Sequence, residues 1–114
     1  MSSFFICSMQ RWADHLYRAW ESARCVFIFG NGGSATTASH FAEDLGKSTL
    51  KPEDLKDESK KRLKVLSLTD NVGWLLAVGN DVGYDQIFTQ QLMRKIIGAT
   101  QSLVCDHGWR PAGL

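Results

Sequence analysis

A histidine and an aspartate four residues apart are the first groups in this 114-residue chain that could do chemistry. His40 and Asp44 would share one face of a helix, because residues at i and i+4 lie one turn apart. Imidazole and carboxylate both transfer protons near neutral pH and both bind divalent metals. The pair could therefore hold a metal or divide acid and base work; the alternative is a surface ion pair. Glu43 lies about 100° round the helix and is the less favoured participant.

A glycine-rich turn, Gly30-Asn31-Gly32-Gly33-Ser34, precedes this pair. Its glycines let the backbone approach a ligand closely, and the first N–H groups of a following helix point toward an anion. The simplest such anion is a phosphate. With Ala35 the turn also satisfies the dinucleotide fingerprint G-x-G-x-x-G/A, whose acidic residue belongs about 20 positions further on. The next predicted strand ends only at Asp70, so dinucleotide binding is disfavoured, and a merely structural turn is a second alternative.

Gly46-Lys47-Ser48 is similar to the end of a Walker A loop. The full pattern requires a glycine where Phe41 stands, and the segment follows a helix instead of a strand. We therefore interpret Gly46 as a helix C-cap, with Lys47 near the negative end of the helix dipole.

The elements that must position these groups alternate between helical and strand patterns. Helices are predicted over Phe5–Ala23, Ser34–Leu45, Val72–Val78 and Tyr84–Ile97, and strands over Cys25–Phe29, Arg62–Leu68 and Ser102–Cys105. A charged loop over 46–61, with a short helix from Pro52, precedes the second strand, and a break over 79–83 separates the last two helices. This order predicts an α/β fold with a parallel sheet, which binds ligands at the carboxyl ends of its strands.

Two finer expectations concern the later helices. Asp70 and Asn71, after the second strand, can cap the helix that follows them. The buried side of the last helix is predicted to consist of four spaced apolar or aromatic residues: Tyr84, Ile87, Phe88 and Leu92.

Composition limits the classes of function. With 44% hydrophobic residues the chain can bury one modest core, and a net charge of +1 gives no global field to attract nucleic acid or an anionic membrane. Cys7, Cys25 and Cys105 are odd in number and form no C-x-x-C motif, which predicts free thiols in a reducing compartment. No apolar run approaches the roughly 18 residues of a membrane span, and no targeting segment is recognisable. We expect a cytoplasmic protein.

Four segments in the same order carry a resemblance to a known family: Gly30-Asn31-Gly32-Gly33-Ser34, His40-Phe41-Ala42-Glu43-Asp44-Leu45, Ser67-Leu68-Thr69-Asp70-Asn71 and Gly79-Asn80-Asp81-Val82-Gly83-Tyr84-Asp85-Gln86-Ile87-Phe88. Together they resemble the sugar isomerase (SIS) domain family, and within it the phosphoheptose isomerases. The resemblance implies a flavodoxin-like three-layer αβα sandwich with a parallel sheet. It also implies a homo-oligomer assembled through helices.

The resemblance further implies an activity and a site. The activity is the aldose–ketose isomerisation of a heptose 7-phosphate through an enediol, with no nucleotide cofactor. Asn31, Gly32, Gly33 and Ser34 would bind the sugar phosphate. Asn80 and Asp81 would contact the sugar, His40 would be a zinc ligand, and Asp44 would be both the catalytic base and a second zinc ligand.

Two departures from the family pattern bear on these expectations. Asp44 stands where the family has glutamate, which shortens the reach of the base by one methylene. The family's second phosphate loop, S-T-S-G-N-S, and its C-terminal glutamine and histidine have no counterpart. We therefore predict a single partial domain over 1–114, with an N-terminal helix (1–23), a sugar-phosphate-binding core (24–105) and an atypical tail (106–114). A non-catalytic phosphosugar-binding or regulatory module is the alternative to an enzyme.

Overall fold

A computed structural model describes the backbone of residues 2–96 and 102–107 and the side chains of residues 10–93. The elements follow the predicted alternation of helices and strands. They are α1 (Ser2–Glu21), β1 (Cys25–Gly30), α2 (Gly33–Lys47), a 3-10 turn (Pro52–Asp54), β2 (Lys64–Ser67), α3 (Val72–Asp81), a second 3-10 turn (Tyr84–Gln86), α4 (Thr89–Ile96) and β3 (Ser102–His107).

The three strands form one parallel sheet in the order β2-β1-β3. Val26 of β1 pairs with Val65 of β2 and with Leu103 of β3. The carboxyl ends of all three strands therefore meet at one edge of the sheet, where the glycine-rich turn begins. Among the strands that the structure describes, only β1 has neighbours on both sides, which explains its unbroken apolar sequence.

Two hydrophobic cores flank the sheet because side chains alternate along β1. Val26 and Ile28 lie in the core that faces α1 and α2, and Phe27 and Phe29 lie in the core that faces α3 and the residues after it. The first core also contains Ala19, Ala38 and Leu63, and the second also contains Leu68, Ile87 and Phe88. This confirms the predicted α/β class with helices on both faces of a parallel sheet.

Helix α2 runs two residues beyond its predicted end, so the interpretation of Gly46 as a C-cap is wrong. Ser48 holds the C-cap position, and Gly46 lies within the last turn. A Cβ atom at Gly46 would come within 3.3 Å of Cγ1 of Val65. The absence of a side chain at Gly46 allows α2 to pack closely against β2, which explains the glycine at this position.

Helix α3 also extends further than predicted. It continues through Gly79 and Asn80 to Asp81, so the expected break begins only at Val82. Asn71 occupies its N-cap position without a side-chain capping bond, which contradicts the expected cap. Backbone hydrogen bonding along the helix outweighs the single glycine at position 79, because one glycine disfavours a helix by only about 1 kcal/mol.

The segment that begins at Tyr84 differs from the single predicted helix. A 3-10 turn over Tyr84–Gln86 precedes α4, and Tyr84 is 45% exposed instead of buried. Gln91, which was not predicted to be on the buried side, is buried. Its side-chain amide donates to the carbonyl oxygens of Leu68 at 2.9 Å and Ile87 at 3.1 Å. Gln91 thereby ties α4 to the end of β2. The predicted last residue of this helix, Ile97, lies outside the described residues.

Two further expectations concern cysteines and membranes. Cys25 is a free thiol, whereas the side chains of Cys7 and Cys105 lie outside the described ones. Within the described residues, no helix combines the length and the apolar character that crossing a bilayer requires.

Candidate functional site

A pocket of about 500 Å³ opens at the carboxyl edge of the sheet, between the glycine-rich turn and α3. Asn31, Thr69 and Asn80 supply its polar side chains. Its apolar and aromatic wall consists of Leu75, Leu76, Tyr84, Ile87 and Phe88. None of the described residues that line it is charged, so among them a ligand would meet amides, hydroxyls and backbone groups instead of fixed charges.

The glycine-rich turn holds most of its own N–H groups in hydrogen bonds. Gly32 donates its N–H to Oδ1 of Asn31 at 3.1 Å, and Ser34 donates its N–H to the carbonyl of Asn31 at 3.0 Å. Ala35 donates to the carbonyl of Gly32 at 3.0 Å. Among the described residues the N–H of Gly33 has no partner, so it is available to an anion without rearrangement.

A network of hydroxyl groups joins α2 to the end of β2 beside the pocket. Thr69 Oγ1 lies 2.6 Å from Ser67 Oγ and 3.2 Å from Ser39 Oγ, and it donates to the carbonyl of Ala35 at 3.3 Å. Ser39 also donates a hydrogen bond to the carboxylate of Asp70. These bonds fix the Thr69 side chain where it lines the pocket.

His40 and Asp44 do share one face of α2, as their spacing predicts. Nε2 of His40 lies 3.4 Å from Oδ2 of Asp44, and the two side chains are 72% and 52% exposed. Neither residue lines the pocket, since this face of α2 is turned to solvent. Among the described residues, the His40–Asp44 pair is therefore not part of the pocket lining.

Glu43 lies closer to this pair than its helical angle suggests. Ligand atoms of His40, Glu43 and Asp44 all lie within 4.8 Å of one another. Glu43 also accepts a hydrogen bond of 2.7 Å from Nζ of Lys47. This bond and the lysine charge hold the pKa of Glu43 below its usual value and raise the pKa of Lys47.

One imidazole nitrogen and two carboxylate oxygens form a donor set suited to zinc. Their ligand atoms lie close enough for small side-chain rotations to bring them onto one ion, although Glu43 would have to release or share its bond with Lys47. These three residues therefore fit a zinc ion as a partial ligand set, with Glu43 added to the two predicted ligands.

The structure brings together some of the predicted site residues and not others. Asn31 and Asn80, about fifty positions apart in sequence, line the same pocket. Gly32, Gly33 and Ser34 lie between the lining residues Asn31 and Ala35, and Asp81 follows Asn80, but none of these four lines the pocket. Ser34 is the second residue of α2, which begins at Gly33.

Sequence reasoning missed two polar groups of the pocket. Both residues belong to motifs of the resemblance, but Thr69 was interpreted as a strand-end and capping residue and Tyr84 as a core residue, and neither as a ligand contact. The available signal was position, because Thr69 follows the carboxyl end of β2, where parallel sheets bind ligands. For Tyr84 the signal was its place directly after Gly83, the last glycine of the glycine-containing break over 79–83.

Comparison with known proteins finds proteins that are similar to this chain in fold and in sequence. A phosphoheptose isomerase from Francisella tularensis has the same fold, with a TM-score of 0.65 and 25% identity over 92% of this chain and 58% of the other. A probable phosphoheptose isomerase from Thermoplasma acidophilum is 35% identical over 80 residues, which is 70% of this chain and 40% of that protein. The lincomycin biosynthesis protein LmbN of Streptomyces lincolnensis is 38% identical over 79 residues, or 69% of this chain and 26% of that protein.

No family model matches the chain. It spans between about a quarter and two fifths of the length of these two sequence relatives. The fold matches that of a phosphoheptose isomerase, and the aligned segment is similar in sequence to phosphoheptose isomerases. Both findings confirm the resemblance that the four motifs of the sequence indicate.

Proposed function

We propose that this chain binds a phosphorylated sugar of the heptose type in the pocket at the carboxyl edge of its sheet. The observation that carries the proposal is the convergence of Asn31 and Asn80 on one pocket, at the position where parallel sheets bind ligands. The relationship to phosphoheptose isomerases supplies the class of ligand.

The phosphate group would lie against the glycine-rich turn. There the free N–H of Gly33 can donate to it, at the positive end of the α2 dipole. Asn31, Thr69 and Asn80 offer hydrogen bonds to sugar hydroxyls, and the apolar wall excludes water from one side of the ligand. Ser34 and Asp81 stay predicted contact residues at the rim.

We further propose aldose–ketose isomerisation as the reaction of the chain in its active assembly. A base must move a proton between adjacent carbons, and Asp44 beside His40 is the candidate. This pair lies on a solvent-exposed face of α2 and does not line the pocket of the same chain. A second copy that presents its own pocket to α2 would supply the substrate, in line with the predicted homo-oligomer. Zinc held by His40, Glu43 and Asp44 would stabilise the negative charge of an enediolate oxygen.

The separation of the pair from the pocket also favours a second candidate, a phosphosugar-binding module without turnover. The two candidates agree on binding and differ on catalysis. A regulatory module would retain affinity for the sugar phosphate whatever stands at positions 40 and 44.

Calorimetric titration of the full chain with sedoheptulose 7-phosphate tests the binding proposal. We expect Asn31→Ala and Asn80→Ala each to weaken binding about tenfold, because each removes hydrogen bonds that the uncharged pocket cannot replace. Asn71→Ala is the matched control, since Asn71 is exposed and makes no side-chain capping bond. Equal affinity in all three variants would contradict the proposed site.

An isomerisation assay with added zinc separates the two candidates. The enzyme proposal predicts turnover that His40→Ala and Asp44→Asn abolish while sugar-phosphate binding persists. His15→Ala, at an exposed position of α1, serves as the control. Binding of sedoheptulose 7-phosphate by the wild-type chain without any turnover would favour the binding module.

A further inference from the structure

The pocket contains one side chain that combines an aromatic ring with a free polar group. Tyr84 lines the pocket, is 45% exposed, and its hydroxyl makes no hydrogen bond among the described residues. The other aromatic residue of the wall, Phe88, is buried and stacks on Phe29 with ring centroids 4.7 Å apart. Phe88 is thus committed to the core, whereas Tyr84 is available to a ligand.

We propose that Tyr84 is a ligand-contact residue that makes this pocket select a sugar phosphate over inorganic phosphate. The proposal rests on the proposed function and deepens it. It adds a further residue that recognises the sugar part, outside the glycine-rich turn and beside the hydrogen bonds that Asn31, Thr69 and Asn80 offer.

The backbone around Tyr84 holds the ring at the pocket for a clear local reason. Gly83 has a φ of 150°, a conformation that side chains of L-residues rarely adopt, and a Cβ there would lie 2.7 Å from Oδ1 of Asp85. The N–H of Gly83 is bonded to the carbonyl of Val78 at 2.9 Å, which closes the end of α3. The chain then enters a 3-10 turn in which Ile87 donates to the carbonyl of Tyr84 at 3.3 Å.

The next residues anchor this turn in the core. Ile87 and Phe88 are both buried and belong to the cluster that packs on the Phe27 side of β1. The backbone of Tyr84 is therefore fixed on both sides, by the end of α3 before it and by two core residues after it. A ring presented on a rigid turn loses little entropy when it contacts a ligand.

The chemistry of the pocket lining favours a residue such as Tyr84 as the source of selectivity for a sugar phosphate over inorganic phosphate. Because none of the described side chains that line the pocket is charged, none of them can discriminate between the two ligands through an ion pair. A sugar presents apolar C–H faces and a rim of hydroxyl groups. A tyrosine matches both features, since its ring offers apolar area and its hydroxyl can donate or accept a hydrogen bond.

Calorimetric titration of the full chain with sedoheptulose 7-phosphate and, separately, with inorganic phosphate tests the assignment. We expect Tyr84→Ala to weaken binding of the sugar phosphate about tenfold, because it removes the ring and the hydroxyl. Tyr84→Phe should weaken it about threefold through loss of one hydrogen bond. Affinity for inorganic phosphate should stay unchanged in both variants.

Tyr17→Ala is the matched control, because the other tyrosine of the chain is also exposed and lies outside this pocket. Thermal unfolding of all variants checks that the fold is intact, and Tyr84→Phe keeps the ring where Tyr84→Ala removes it. Wild-type affinity for the sugar phosphate in Tyr84→Ala would overturn the assignment while the proposed function stands. A wild-type chain that binds sedoheptulose 7-phosphate no more tightly than inorganic phosphate would also overturn the assignment. A wild-type chain that binds neither would overturn the proposed function itself.

Discussion

Ser39 in the middle of α2 donates a hydrogen bond to the carboxylate of Asp70, just beyond the end of β2. The same hydroxyl lies 3.2 Å from Thr69 Oγ1, and Thr69 lines the pocket. This contact joins residues 31 positions apart and connects the helix that starts at the glycine-rich turn to the neighbouring strand end. Together with the bond from Thr69 to the carbonyl of Ala35, this serine therefore helps to fix the relative placement of two pocket walls.

Removing this contact should destabilise the fold. We expect Ser39→Ala to lower the free energy of unfolding by about 1 kcal/mol, because the loss of a hydrogen bond to a carboxylate exceeds the gain in helix propensity. Chemical denaturation measures the change. Ser48→Ala is the control, since Ser48 follows α2 and its hydroxyl has no partner among the described residues. Equal loss of stability in both variants would show that the contact with Asp70 contributes nothing.

Gly46 should resist substitution because α2 packs closely on β2. In Gly46→Ala the new Cβ would lie 3.3 Å from Cγ1 of Val65, closer than ordinary van der Waals contact. We expect net destabilisation by about 1 kcal/mol, since crowding outweighs the helix-propensity gain of alanine near a helix end.

Gly73 provides a control for this substitution. It lies in the first turn of α3, and a Cβ there would meet no atom within 4 Å. Gly73→Ala should therefore stabilise the protein by about 0.5 kcal/mol. Thermal unfolding of both variants tests the contrast. A stabilised Gly46→Ala variant would mean that Val65 on β2 can move aside without lowering the free energy of unfolding.

The two adjacent glycines of the turn should respond differently to alanine. Gly32 has a φ of 57°, so Gly32→Ala should lower the free energy of unfolding by about 1–2 kcal/mol. Gly33 begins α2 with open space around it, so Gly33→Ala should leave thermal stability nearly unchanged.

If the phosphate approaches the N–H of Gly33 closely, Gly33→Ala should still weaken binding of sedoheptulose 7-phosphate about tenfold through steric overlap. Calorimetric titration measures this effect apart from stability. Unchanged affinity in a stably folded Gly33→Ala variant would exclude close approach of the ligand at this position.

The loop before β2 contains a carboxylate whose titration can be followed directly. The hydroxyl and the backbone N–H of Ser59 donate to Oδ1 of Asp57 and hold the pKa of Asp57 below its usual value. These bonds therefore stabilise the fold above the unfolded-state pKa of Asp57, and this contribution is lost as the pH falls through the lower folded-state pKa.

Ser59→Ala should raise the pKa of Asp57 only part of the way to its ordinary value, because the backbone N–H donor remains. Carboxyl-carbon NMR titration measures this pKa directly. The same titration in concentrated urea should give equal values for wild type and variant. A folded-state pKa that does not move on substitution would assign the whole effect to the backbone bond.

The segments with strong local patterns could be predicted from the sequence. The run from Cys25 to Phe29 is too short and too apolar for a surface helix, and the structure confirms it as the central strand β1. The short helix expected from Pro52 is also present, as a 3-10 turn. In both places neighbouring residues decide the conformation, so periodicity and proline geometry suffice.

The fine features of α2 and of the chain after α3 could not be predicted in this way. Gly46 and Tyr84 were both misassigned, one as a cap and the other as a core residue. Their surroundings consist of side chains from distant segments, Val65 at one site and the pocket wall at the other. A local pattern contains no information about such neighbours.

The sequence by itself determined the α/β order, the glycine-rich turn and the common helix face of His40 and Asp44, since each depends on spacing within one element. Only the tertiary structure decided that Asn31 and Asn80 line one pocket, while His40 and Asp44 are exposed to solvent and do not line it. The physical reason is that packing against the sheet selects which face of each helix is buried. That selection depends on contacts between elements that lie far apart along the chain.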